Sequence, residues 1–131
     1  MDKKLDKILA EISAGELIDK ITILEIKKIK IKNDEKLKEV EKELLSLNDT
    51  LKKTIPNRSK IQTLIDKLKT INLKLWDIEN GKRLAEKKDD FGGKFIELAR
   101  NVYKANDERS KLKLEINNIL GSNIKEVKSH Y

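Results

Sequence analysis

From residue 14 to residue 120 apolar side chains recur every three or four positions, the rhythm of one face of an α-helix. Ahead of that stretch Leu5, Ile8, Leu9 and Ile12 keep the same step and predict a short helix over 3–11. Ser13-Ala14-Gly15-Glu16 then has the S-x-x-E form of a capping box, in which the hydroxyl and the carboxylate each satisfy a free backbone N–H at a helix start. The helix it opens, over 14–32, carries Leu17, Ile18, Ile21, Ile23, Leu24, Ile26, Ile29 and Ile31. At about 100° per residue these fall on nearly every side, which makes the helix central. Ile29-Lys30-Ile31-Lys32 alternates with period two and offers a rival strand reading. Helix is preferred, because the cap is well formed and no second segment offers itself as a strand partner.

Asn33-Asp34 supplies a break and a new N-cap. From there Leu37, Val40, Leu44, Leu47 and Leu51 form a heptad seam. Ile55-Pro56-Asn57-Arg58-Ser59 is the clearest turn and holds the one proline. The helix from 59 to about 88 repeats the seam with Ile61, Leu64, Leu68, Ile71, Leu75 and Ile78, and continues through Asn80-Gly81. Two matching seams joined by a short polar turn predict an antiparallel, coiled-coil-like helical hairpin. Trp76 lies off the second seam, beside Ile65, and points to a helix buried on two sides. Asp89-Asp90-Phe91-Gly92-Gly93 is the next break, and a last helix over 94–120 uses Phe95, Leu98, Ala99, Val102, Ala105, Leu112, Ile116 and Ile119. Gly121 is its stop. The expected architecture is an all-α bundle of long antiparallel helices, one domain over 1–121, followed by a flexible tail over 122–131. Helices of about 40–45 Å on so short a chain leave apolar faces uncovered, so a homodimer is expected.

Composition narrows the function mostly by elimination. Charged residues are 40% of the 131 and hydrophobic ones 37%, a balance that suits narrow apolar stripes on salt-laced helices. With no cysteine, disulfides, thiolate chemistry and cysteine-bound zinc are excluded. The charged start lacks the apolar run of a signal peptide, and no stretch reaches the ~18 apolar residues of a membrane span, so a cytoplasmic location is the default. The net charge of +7 invites a nucleic-acid partner, but basic and acidic residues are interspersed along the whole chain. Arginines number four (Arg58, Arg83, Arg100, Arg109) and aromatic residues are 4%, poor provision for base contacts and stacking, so nucleic acid is not the expected partner.

The informative chemistry lies in the last helix. Asn106, Arg109, Lys113 and Asn117 step by three, four and four and therefore line up on one face, within its apolar stripe. Glu25 is the matching oddity among Ile18, Ile21 and Ile29. A polar layer in the core, with Glu25 or Asp19 against Arg109 and Lys113, is the plainer explanation, since buried charges are usually paired. The sharper one is a pocket for a small phosphate- or carboxylate-bearing anion, gripped by Arg109 and Lys113 and oriented by Asn106 and Asn117. Glu16-Leu17-Ile18-Asp19 and Glu86-Lys87-Lys88-Asp89 share the ExxD form of all-helical nucleoside triphosphate pyrophosphohydrolases, without the companion acidic cluster of those enzymes. Glu35, Glu39 and Glu43 read as a solvated face. No catalytic residue, metal or cofactor is assigned: the one histidine, His130, is in the tail, and no phosphate-loop or dinucleotide glycine pattern occurs.

The segments Gly15-Glu16-Leu17-Ile18-Asp19-Lys20-Ile21-Thr22-Ile23-Leu24-Glu25-Ile26-Lys27 and Leu75-Trp76-Asp77-Ile78-Glu79 give the chain a resemblance to a family of short bacterial and phage-type proteins of unknown function. Asp90-Phe91-Gly92, Ala99-Arg100-Asn101-Val102-Tyr103 and the polar line from Asn106 to Asn117 share in it. The resemblance spans most of the chain outside 33–60 and implies no established activity. The preferred reading is a non-enzymatic helical interaction or regulatory module. The alternative is a helical bundle, an enzyme or not, that binds a small anionic ligand.

Overall fold

The computed structural model describes residues 4–128. Ser13, in extended conformation, starts the first helix by accepting from the Glu16 N–H at 3.0 Å, and α1 runs Ala14–Lys30. Three lysines in its last turn meet the negative end of the helix dipole, and Ile31 leaves it as extended chain. Asn33 caps α2, Asp34–Thr54, by accepting from Lys36 N–H at 3.0 Å. A turn of 3₁₀ helix, Ser59–Ile61, leads into α3, Gln62–Lys87, and α4 follows as Gly93–Leu120. Gly121 ends α4 at φ 63, the left-handed conformation that glycine adopts without a Cβ clash. Among the described residues every regular element is helical, so the chain is all-α.

Two clusters form the core. Ile18 of α1 joins Ile61, Leu68 and Ile71 with Ala105, Leu112 and Ile116 of α4. Leu17, Ile21 and Leu24, on the other side of α1, take Val40 and Leu44 of α2. Apolar residues on both sides of α1 are thus put to use, and α1 lies between α2 and the α3–α4 pair.

Two expectations are corrected. The seams of α2 and α3 do not face one another: α2 packs on α1, and α3 packs on α4 and α1. A seam fixes which side of a helix is buried but not which neighbour buries it. Here the Ile55–Arg58 connection, closed by Arg58 Nη1 donating to the Ile55 carbonyl at 2.8 Å, leads the chain away from α2. Residues 4–12 are not helical either; Leu5, Ile8 and Leu9 are 87%, 82% and 89% exposed, and residue 3 lies outside the described residues. An amphipathic helix of this length has little stability without a surface for its apolar face. Trp76 is half-buried, and Gly81 sits within α3, its missing Cβ letting Leu98 approach to 3.3 Å of that position.

Candidate functional site

The start of α1 lies against the second half of α4, and residue numbers rise along one as they fall along the other. Gly15 N–H donates to Asn117 Oδ1 at 2.6 Å, Lys113 Nζ to Glu16 Oε2 at 2.6 Å, and Arg109 Nε to Asp19 Oδ1 at 2.9 Å. The steps of three from Glu16 to Asp19 on α1 and of four from Arg109 to Lys113 on α4 place the two cations beside their carboxylates. Gly15 sets the closeness: a Cβ there would come within 2.5 Å of the Lys113 carbonyl oxygen.

Asp19 is the centre of the site and is wholly buried. Arg109 approaches it with two N–H groups, Nε to Oδ1 and Nη2 to Oδ2, the fork geometry that makes a guanidinium a strong carboxylate partner. Asn72 of α3 adds its amide, with Nδ2 2.9 Å from Asp19 Oδ1 and 2.8 Å from Thr22 Oγ1. The Thr22 hydroxyl proton goes to the Asp19 carbonyl at 2.7 Å. One carboxylate therefore joins α1, α3 and α4. Among the described residues no buried side-chain polar atom lacks a partner.

The hydrogen bond to Asp19 holds the Arg109 guanidinium above its ordinary pKa, against the opposing effect of burial, and the charges of Asp19 and Glu16 add to the rise. A raised pKa stabilises the fold below the unfolded-state value and loses that contribution only as pH climbs past the folded-state one. For arginine both lie far above neutrality, so Arg109 contributes evenly across the physiological range.

Lys113 stands between Glu16 and Glu126, 3.8 Å from the latter. Glu126 also accepts from Ser13 Oγ at 2.7 Å, and Ser122 Oγ accepts from Ala14 N–H at 3.0 Å. Thus the stretch after Gly121, read as a tail, passes over the α1 N-terminus; residues 129–131 and with them His130 lie outside the described residues. The second half of the expected capping box is put to another use, since the Glu16 carboxylate turns to Lys113.

Of the residues singled out in the sequence, Arg109, Lys113 and Asn117 converge on α1. Asn106 is exposed, with Oδ1 at 3.5 Å from Arg109 Nη1. Glu25 lies apart, half-buried and 3.9 Å from Lys69 Nζ. Sequence reasoning passed over Asn72 and Thr22. Thr22 could have been found from its step of three after Asp19; Asn72 gives no such signal, because its role depends on how α3 meets α1. The Glu16–Asp19 spacing, weighed as a metal motif, positions two carboxylates for Lys113 and Arg109.

The fold and this paired layer define an all-helical protein held together by a buried ionic junction. The chain belongs to the family of unknown function DUF6165, which it matches over residues 8–131. No curated protein and no solved structure matches it.

Proposed function

We propose that the chain is a non-enzymatic interaction or regulatory module that self-associates as a homodimer, its buried polar residues fixing helix register. The observation that carries this reading is the double contact of Arg109 with Asp19. An anion pocket needs a cation open to the incoming ligand. Both Asp19 oxygens take a guanidinium N–H, and Lys113 is held by Glu16 with Glu126 beside it. A ligand would have to displace carboxylates tethered to the same chain, which compete at high effective concentration. The α4 line of polar residues thus has its hydrogen-bond partners within the fold, as a register-setting layer requires.

Arg109→Ala separates this reading from an anion site. A structural layer loses about 3–5 kcal/mol of unfolding free energy, since Asp19 is left buried without its cation, and the wild-type protein gives no heat on titration with phosphate or citrate. A variant as stable as wild type, together with wild-type anion binding that the substitution abolishes, would establish the pocket instead. Self-association is read by sedimentation equilibrium, where a monomer at every concentration removes the homodimer.

A further inference from the structure

Two features are left without a role by the ionic junction. One is the segment Leu5–Ile12, whose apolar residues keep helical spacing yet stand in solvent outside any helix. The other is a groove along the α3–α4 pair. Two hollows that share Leu98 make it, with Ile78, Gly81 and Ala85 as floor and Leu73 and Leu84 as an apolar wall. Leu73 and Leu84 are 40% and 53% exposed. Gly81 lies half a turn around α3 from Asn72, the residue that meets α1, so the groove opens on the side away from α1.

We infer that the segment Leu5–Ile12 of one copy folds as a helix into the α3–α4 groove of a second copy. This deepens the self-association proposed above and rests on it. Helix-in-groove recognition reads apolar anchors at i, i+3, i+4 and i+7, which is the spacing of Leu5, Ile8, Leu9 and Ile12.

The occupant comes from another copy for a reason of reach. Gly15 is tied to Asn117, and Leu98 lies about 28 Å further along α4 at 1.5 Å per residue. A helix over 5–12 is only about 12 Å long and starts beside Ser13, so it cannot fill the chain's own groove at Leu98 and Leu84. Charge agrees. The groove rim carries Lys74, Lys88 and Lys94 against Asp77, Asp90 and Glu97, and the segment carries Lys7 against Asp6 and Glu11. The rim is balanced and the segment is one charge negative, so on a chain of net charge +7 neither surface adds to the repulsion between copies. Reciprocal exchange of segments closes a two-fold dimer.

The test uses the full chain in sedimentation equilibrium, with Leu9→Asp in the segment and Leu84→Asp in the groove. Each is expected to weaken dimerisation by about ten- to hundred-fold, the loss that follows from placing a charge at a buried leucine position. Both side chains are exposed within the protomer, so the fold is retained, as circular dichroism would verify. An equimolar mixture of the two variants should recover dimer, because an intact segment then meets an intact groove. A wild-type dimer that neither variant weakens, or a mixture no more dimeric than its components, overturns the docking mode while leaving self-association standing. A wild-type monomer at every concentration overturns both. Helix gain on anionic phosphatidylserine vesicles by a chain that stays monomeric also overturns it, assigning the segment to a lipid surface.

Discussion

Gly15 shows how one missing side chain positions the ionic junction. Its N–H reaches Asn117, and an added Cβ would stand 2.5 Å from the Lys113 carbonyl oxygen and 2.9 Å from Asn117 Oδ1. Alanine is the better helix former, yet Gly15→Ala is expected to destabilise the protein by about 1–3 kcal/mol, because backbone has to move to make room. Gly93 opens α4 with nothing within 4 Å of its Cβ position, so Gly93→Ala is expected to be neutral or to stabilise by up to about 1 kcal/mol. Urea unfolding of the two variants decides; equal effects would mean that α1 and α4 do not approach closely at Gly15. The sequence displays Gly15 only as part of a cap, since the reason for glycine there belongs to α4. Arg109, Lys113 and Asn117 were legible as a line because they share one helix face. Asp19 could be named only as one of two candidate partners, as nothing local distinguishes it from Glu25.

At the scale of elements, local signals carried well and pairing did not. Ser13, Asn33 and Gly121 mark their helix ends through chemistry that acts within a few residues. The choice of α1 over α3 as the partner of α2 is a tertiary matter, and two equivalent seams do not encode it. The arrangement leaves α2 the least supported helix. Val40 and Leu44 are covered by α1, and contact with the main cluster is made by Leu51 and Ile55 at its C-terminal end. Native-state hydrogen exchange should therefore show amides of residues 38–46 exchanging through an opening of lower free energy than amides near Leu68 or Leu112. Leu44→Ala, which empties an 8%-exposed site, should lower that opening energy by about 2–4 kcal/mol, while Leu45→Ala, at 74% exposure, should leave it nearly unchanged. A uniform exchange free energy across all four helices would count against a separable α2.

For the whole molecule, the net charge of +7 sets the conditions under which two copies can meet. Like charges on two copies repel over distances comparable to the Debye length, about 8–10 Å at physiological ionic strength. A contact dominated by opposite-charge pairs would weaken as salt screens those pairs. In the proposed exchange the groove rim is balanced in sign and the segment is only one charge negative, so screening removes mainly the repulsion between the rest of the two protomers. Dimerisation should accordingly strengthen between 50 and 300 mM salt, by about two- to ten-fold, as expected for a repulsion of order 1 kcal/mol in water. Sedimentation equilibrium of the full chain at the two ionic strengths measures this directly. Dimers that dissociate on adding salt would place the contact on opposite-charge pairs between the copies and away from the α3–α4 groove.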